Sequence, residues 1–213
     1  ASGDLLAGLV LPALRRALPD VHVAGIAGDR MAAAGCEPWF HVRELSVRGY
    51  AEVVRHLPRL LRLRARFIRQ VIAWPATLYV GVDAPDFNLG VEARLRARGV
   101  RTVQYVSPAV WAWRPERIGK IRAAVDHMLC LFPFEAPQLC HAGIRATYVG
   151  HPLASTIPRH GEAAAARGRL GLDPQRPVIA LLPGSRPAEI STLAPPFFAA
   201  AALLARTDRQ LQF

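Results

Sequence analysis

Short apolar runs alternate with amphipathic segments along most of the chain. Residues 78–82, 100–106 and 127–131 predict buried strands, and helical spacing of apolar residues follows each of the first two. Strands that alternate with helices at these intervals form a parallel sheet in an α/β fold. Because ligands bind beyond the carboxyl ends of parallel strands, we expect a site in the loops that follow them.

The two ends of the chain extend this pattern. Ser2, Gly3 and Asp4 precede an apolar rhythm, which is typical of a helix start. Near the other end, residues 178–182 predict a strand, followed by a helix at about 196–205. We therefore predict an N-terminal Rossmann-like unit, a linker with a short helix, and the start of a second Rossmann-like unit. Their predicted bounds are 1–153, 154–177 and 178–213.

A basic amphipathic helix is predicted over residues 58–72. Its apolar residues form one stripe, and arginines that include Arg59, Arg62 and Arg66 form another. Such a helix can contact anionic lipid headgroups, although a solvated helix face is an equally good interpretation. The longest uncharged run, 190–205, is interrupted by two prolines and is shorter than the roughly 18 to 20 residues of a membrane span.

Composition narrows the class of protein. The 213 residues are 52% hydrophobic and 20% charged, which is typical of a globular chain. The net charge of +11 suits a nucleic acid, an anionic membrane or a phosphorylated substrate, although a coding bias toward Arg explains part of it. The three cysteines show no ligand spacing, so we expect ordinary thiols and no metal site.

A carboxylate cluster follows the strand predicted at 78–82. Asp83 stands where a general base could deprotonate a sugar hydroxyl. In the alternative interpretation, Asp86 caps the next helix and Asp83 satisfies amides of the turn. A metal is less favoured, because no third ligand type lies near the two carboxylates.

Two further loops follow predicted strands. Ser107 and Trp111 belong to a segment with two tryptophans and an arginine, which suits an apolar and anionic ligand, although tryptophan is more often core packing. His151 follows the strand that ends near residue 149. It could donate a hydrogen bond to a substrate or serve as a hinge residue.

A glycine-serine turn joins the predicted strand and helix of the second unit. Gly184 and Ser185 can present backbone N–H groups to a phosphate, and Arg186 can add a bidentate charge. The turn is not a Walker loop, because no Gly-Lys-Ser/Thr follows it. A simple tight turn is the alternative.

These segments, taken in order, resemble the bacterial lipid-A-disaccharide synthase family over most of the chain. The stretches that carry the resemblance are 2–4, 44–47, 56–61, 82–88, 105–114, 132–135, 149–153 and 181–189.

The resemblance implies a GT-B fold with two Rossmann-like domains. It also implies an inverting transfer of 2,3-diacylglucosamine from UDP to the 6-hydroxyl of 2,3-diacylglucosamine 1-phosphate, without a metal or another cofactor. Asp83 matches the position of the expected base, and Arg186 matches an arginine expected at the donor phosphates or the leaving group. By the same resemblance, the residues expected at the substrates are Ser2, Gly3, Asp4, Asn88, Ser107, Trp111, His151, Gly184 and Ser185, and those expected at lipid are Arg59, Arg62 and Arg66.

The resemblance also implies a setting for the protein. We expect a cytoplasmic enzyme, peripheral on the anionic inner membrane of a Gram-negative bacterium, that forms a homodimer when full length and binds no nucleic acid. The family's first strand, its Gly-Glu pair and most of its C-terminal domain have no counterpart in these 213 residues. We therefore expect the 213-residue chain to be inactive alone. The alternatives are another GT-B enzyme of UDP-sugars and a fragment that binds only lipid or membrane.

Overall fold

The computed structural model describes residues 2–45, 50–109, 116–158, 161–185 and 187–213, with the backbone alone for 50–56. The chain divides into two compact units, Ala1–Ile157 and Pro158–Phe213. The first unit contains, in chain order, α1 Ser2–Ala17, β1 Ala24–Ala27, α2 Asp29–Ala33, β2 Glu37–His41, α3 Tyr50–Ala73, β3 Leu78–Val82, α4 Pro85–Arg96, β4 Arg101–Tyr105, α5 Arg117–Ala124, β5 His127–Cys130, α6 Glu135–His141 and β6 Ala146–Tyr148. The second unit contains α7 Ala163–Leu170 and α8 Pro187–Thr207.

The first unit has two parallel sheets. Strands β3, β4, β5 and β6 pair in that order, and Val82 lies opposite Tyr105 at the carboxyl end of the first pair. Strands β1 and β2 form a smaller parallel pair. The predicted α/β fold with parallel strands is therefore confirmed, and the loops after β3 and β4 lie at the same edge of one sheet.

Helix α4 covers the sheet with one face of its sequence. Its buried residues, Asn88, Val91, Glu92 and Leu95, recur at the spacing of one helical face. Val91 and Leu95 pack with Phe67 of α3, and aromatic rings surround Phe67. The partners of Phe67 in these ring contacts are Trp39, Phe40, Tyr79 and Phe87.

The basic helix α3 differs from its prediction. It begins at Tyr50 rather than at Pro58, so that the proline lies inside the helix. A proline removes one backbone hydrogen bond, and the helix continues across this loss because its later turns are anchored in the core. The predicted apolar stripe also divides: Phe67, Ile68 and Val71 are buried, whereas Leu57, Leu61 and Ile72 are exposed.

The second unit differs more. The strand predicted at 178–182 is reduced to a single parallel bridge between Val178 and Gln212. A strand needs a neighbour to pair with, and the segment around Gln212 is the one described segment that pairs with it. The predicted helix begins at Pro187 instead of about residue 196 and continues through Pro195 and Pro196.

Helix α8 is 21 residues long and largely exposed. Contrary to the expectation from the two prolines, it is long and apolar enough to cross a membrane. By length and composition, a helix that packs in the core of a larger domain meets the same criterion.

Candidate functional site

Asp83 occupies the kink between β3 and α4. Its φ angle is 55° and that of Ala84 is 42°, so two consecutive non-glycine residues lie in the left-handed region. The backbone N–H of Asp83 donates to Tyr105 O at 2.9 Å, which ties the kink to the end of β4. The Asp83 side chain is half-buried at the carboxyl edge of the sheet.

The start of α1 reaches this carboxylate. Ser2 Oγ donates to Asp83 Oδ2 at 2.5 Å, across 81 positions of sequence. A glycine at position 3 allows the approach, because a Cβ there would lie 3.1 Å from Val82 O and 3.6 Å from Asp83 Cβ. The structure therefore brings together three residues that the family resemblance placed in one cleft, Ser2, Gly3 and Asp83.

Buried amides hold the backbone of Asp83. Asn88 Nδ2 donates to Asp83 O at 2.8 Å, and Gln104 Nε2 donates to the same oxygen at 3.0 Å. Tyr79 donates its hydroxyl to Asn88 Oδ1 at 2.8 Å. The side chain of Asn88 is thus committed to the protein, and its contact with a substrate stays a prediction.

The loop after β4 is strained in the same way. Val106 has a φ angle of 78°, which is rare for a β-branched residue. Its carbonyl accepts from Gln104 Nε2 at 3.2 Å, and its N–H donates to Leu129 O at 3.0 Å. Ser107 follows and is buried, with its hydroxyl donating to Pro108 O at 3.1 Å. Trp111 lies outside the described residues.

Asp4 has a supporting position beside this site. Its carboxylate accepts from the backbone N–H groups of Gly28, Arg30 and Met31 at 3.0, 3.2 and 3.0 Å. These amides open α2, so Asp4 satisfies donors that the helix itself leaves unpaired. The structure thereby gives Asp4 a structural role, while its role at the substrate stays a prediction.

The second carboxylate of the cluster does not cap α4. Ala84 is the N-cap residue of that helix, and Asp86 lies in its first turn. Asp86 is exposed and pairs with Arg117 at 2.5 Å. Asp83 and Asp86 therefore have different surroundings, and Asp83 alone faces the start of α1. Among the described residues, no group of three or more His, Cys, Asp or Glu could hold a metal ion.

His151 follows β6 and is half-buried. Its Nδ1 accepts from the backbone N–H of Leu153 at 3.2 Å, so that it caps the short 3-10 helix Pro152–Ser155. This use leaves Nε2 as the ring nitrogen for a ligand, a role that stays a prediction.

The glycine-serine turn belongs to the second unit. Gly184 has a φ angle of 128°, and Ser185 donates its N–H to Glu189 Oε2 at 3.1 Å. One donor of the predicted phosphate-binding turn is therefore engaged by a carboxylate from the first turn of α8. Arg186 lies outside the described residues.

The arginines of α3 that were predicted at lipid are exposed. Arg66 lies over the ring of Phe40, with 5.5 Å from Cζ to the ring centroid. Arg62 Nε donates to Pro58 O at 3.3 Å, and Arg59 lies about one turn before Arg62 and about two turns before Arg66. Leu57 and Leu61 are also exposed, one turn apart on a face of α3 different from that of these cations.

Sequence reasoning missed the polar side chains beneath Asp83. Gln104 lies fully buried on β4, and Glu92 lies fully buried on α4. The signal for Glu92 was present, because Asn88, Val91, Glu92 and Leu95 have the spacing of a single helix face. A carboxyl and an amide inside an otherwise apolar face indicate a buried network.

The arrangement can serve acid–base chemistry. A half-buried carboxylate that accepts one hydroxyl is held at the carboxyl edge of a parallel sheet by fixed backbone contacts. Such a group can remove a proton from a hydroxyl brought within hydrogen-bonding distance.

Comparisons with known proteins agree with the resemblance in the motifs. A family model described as lipid-A-disaccharide synthetase matches residues 1–213. The lipid-A-disaccharide synthase of Xanthomonas campestris pv. campestris is 52% identical over 204 residues, which are 96% of this chain and 47% of that protein. That of Bordetella pertussis is 52% identical over 211 residues, 99% of this chain and 54% of that protein. That of Verminephrobacter eiseniae is 50% identical over 213 residues, 100% of this chain and 55% of that protein.

The chain thus spans about half the length of the curated relatives it matches. Those relatives come from Gram-negative bacteria, and all three carry the same name. A family match over the whole chain, together with relatives that share half of its residues, shows that this chain belongs to the lipid-A-disaccharide synthetase family of glycosyltransferases.

Proposed function

We propose that the complete protein transfers 2,3-diacylglucosamine from UDP to the 6-hydroxyl of 2,3-diacylglucosamine 1-phosphate. Asp83 removes the proton of the acceptor hydroxyl, whose oxygen attacks the anomeric carbon as UDP leaves. A single displacement inverts the anomeric centre and gives the β-1,6 disaccharide 1-phosphate. The observation that carries the proposal is the Asp83 carboxylate, held at the carboxyl edge of the sheet and hydrogen-bonded to Ser2.

The contacts of Asp83 give its two carboxylate oxygens different roles. Ser2 Oγ donates to Oδ2, which leaves Oδ1 to accept the proton of the acceptor hydroxyl. The hydrogen bond from Ser2 orients the carboxylate, and the hydrogen bonds from Asn88 and Gln104 to Asp83 O hold its backbone in place. Asp83 can then act as a base without a metal or another cofactor.

In this proposal, the second unit supplies the residues that bind the phosphates of the UDP-sugar donor. The Ser185 N–H now donates to Glu189. When the UDP-sugar binds, this N–H donates to a phosphate oxygen instead. Arg186 neutralises the charge that develops on the leaving diphosphate. The alternative, another GT-B enzyme of UDP-sugars, requires the same phosphate contacts and a different acceptor.

We also propose that α3 docks on the anionic cytoplasmic surface of the inner membrane. Leu57 and Leu61 are 47% and 43% exposed one turn apart, and the exposed Arg59 and Arg62 lie on another face of the same helix. A helix with an exposed apolar face and a separate cationic face suits the boundary between headgroups and acyl chains. The substrates carry acyl chains, so this surface would deliver them to a cytoplasmic, membrane-bound enzyme, which we expect to be a homodimer.

Liposome flotation tests this surface. We expect the complete protein to bind vesicles that contain anionic lipid, with binding that weakens as salt rises. Replacing Arg59, Arg62 and Arg66 with Ser should lower that binding, whereas replacing Arg101, Arg122 and Arg145 with Ser should not. The control removes the same charge from exposed arginines on other elements. Equal losses of vesicle binding in the two triple variants would show that binding depends on net charge and not on the surface of α3.

The transfer itself is tested with purified complete protein and its two proposed substrates. We expect a β-1,6-linked disaccharide 1-phosphate and one UDP for each disaccharide, with the linkage assigned by nuclear magnetic resonance of the anomeric proton. We expect no product from the 213-residue chain alone. Failure of the complete protein to form the disaccharide, with turnover of another acceptor, would support the alternative GT-B enzyme.

A further inference from the structure

A buried carboxyl group lies beneath the two strained loops. Glu92 is fully buried on α4, and neither of its carboxyl oxygens has a hydrogen-bond partner among the residues that the structure describes. It faces Gly81 of β3 so closely that a Cβ on that glycine would lie 2.3 Å from Glu92 Oε1. Gln104 Oε1 lies 2.5 Å from the same point and likewise has no hydrogen-bond partner within the described ranges. Two acceptors therefore meet over a glycine, away from water.

The other end of the Gln104 amide fixes its orientation. Its Nε2 donates to Asp83 O at 3.0 Å and to Val106 O at 3.2 Å. If the amide were turned over, its oxygen would face these two carbonyl oxygens; Val106 O would lose its Gln104 donor, and Asp83 O would keep only the Asn88 amide. Gln104 Oε1 must then point toward Glu92, where only a donor can satisfy it. A protonated carboxyl group is such a donor.

The surroundings of Glu92 favour its acid form. Burial raises the pKa of Glu92 from 4.5 to about 8. Tyr79 from β3, whose hydroxyl is engaged by Asn88, is within electrostatic range of Glu92, and the Gln104 amide from β4 faces the same point above Gly81. From α3, the Arg64 guanidinium lies against Gly90. In the described part of the chain, no ion pair joins Glu92 to a cation.

We propose that Glu92 is a positioning residue, which donates the proton of its neutral carboxyl group to Gln104 Oε1 and thereby fixes the Gln104 amide on the backbone of Asp83 and Val106. This inference rests on the proposed role of Asp83 as the base. Gln104 then joins two loops whose backbone angles are otherwise unfavourable, 55° at Asp83 and 78° at Val106. Without the donor, the amide loses its fixed orientation and the Asp83 carboxylate is placed less accurately against the acceptor hydroxyl.

Infrared spectroscopy tests the protonation directly, without any assay of activity. In the complete protein at neutral pH, the difference spectrum between the parent and Glu92→Gln should contain the C=O stretch of a protonated carboxylic acid. Labelling glutamate with ¹³C at the carboxyl carbon should shift this band. A difference spectrum with only carboxylate bands would overturn the inference, because an ionised Glu92 cannot donate.

Steady-state kinetics test the positioning. We expect Glu92→Leu to lower kcat by about tenfold or more with KM within about threefold, since a misplaced group slows the chemical step rather than binding. Glu92→Gln keeps a donor toward Gln104 and should stay within about threefold of the parent. The matched control is Thr102→Val, which removes a buried hydrogen bond to Ala124 O from the same face of β4. This control should lower stability and leave kcat within about threefold.

The outcomes separate the two proposals. Equal kcat values for Glu92→Leu and Thr102→Val, or equal losses for Glu92→Leu and Glu92→Gln, would overturn the positioning role. An active Asp83→Asn variant would instead show that Asp83 is not the base. That result would not change the infrared band expected for Glu92. Loss of kcat in Glu92→Leu with recovery in Glu92→Gln supports the inference.

Discussion

Replacing Glu92 with Gln should change how the stability of the first unit depends on pH. Burial raises the pKa of Glu92 from 4.5 to about 8, so the folded protein keeps a proton that the unfolded chain has already released. Since the folded state binds more protons over this window, the free energy of unfolding falls as pH rises from 4.5 to about 8. At 1.36 kcal/mol for each pKa unit, the full loss is about 5 kcal/mol. Gln does not titrate, so Glu92→Gln should remove this slope.

Urea denaturation followed by tryptophan fluorescence measures this slope. All four tryptophans of the chain, Trp39, Trp74, Trp111 and Trp113, lie in the unit Ala1–Ile157, so their emission reports that unit. We expect the free energy of unfolding of the parent to fall by several kcal/mol between about pH 5 and pH 8, and that of Glu92→Gln to stay nearly level.

Other described groups with shifted pKa values titrate outside this window. Burial raises the pKa of Cys36 and of Cys130 to about 11 and also raises the pKa of Tyr79 and of Tyr105. Partial burial of Asp126 is outweighed by the Thr102 N–H and the Arg96 guanidinium, which lower its pKa below 3.8. Asp126 therefore stabilises the fold above pH 3.8, and Asp126→Asn is the control whose slope between pH 5 and 8 should match the parent. Parallel slopes for the parent and Glu92→Gln would refute a buried, protonated Glu92.

Two further changes test the scaffold of the site by the same denaturation experiment. Asp4→Ala leaves the amides of Gly28, Arg30 and Met31 without their acceptor and should cost about 2 kcal/mol of stability, and a loss below about 0.5 kcal/mol would contradict the capping role. Phe67→Ala empties the centre of the aromatic cluster and should cost about 3 to 5 kcal/mol, whereas Ile72→Ala, at an exposed position of the same helix, should cost less than about 1 kcal/mol. Equal losses of stability in these two variants would contradict the assignment of Phe67 to the core.

The central strands could be predicted closely because their sequence is unambiguous. The uninterrupted apolar run at 78–82 matches β3 residue for residue, and β4 and β5 end within one residue of their predictions. Apolar runs bounded by turns allow few alternatives. The hydrogen bond between Ser2 and Asp83 did not follow from this pattern: the family resemblance placed both residues at one cleft, and their contact appears only in the folded chain.

Other features depend on partners that local sequence does not name. The apolar run at 178–182 forms one bridge instead of a strand, since pairing requires a neighbour at the right distance. Helices α3 and α8 extend across prolines, which local rules treat as boundaries. The sequence could not predict the pairing of Glu92 with Gln104, because α4 and β4 come together only in the folded chain.

The most direct test of Asp83 is its replacement by Asn in the complete protein, with UDP binding and turnover measured on the same preparation. Asn preserves the size of the side chain and its contact with Ser2 and cannot accept a proton at neutral pH. We expect kcat to fall by at least about 10²-fold while the Kd for UDP is unchanged. Near-normal turnover in Asp83→Asn would contradict the assignment of Asp83 as the general base.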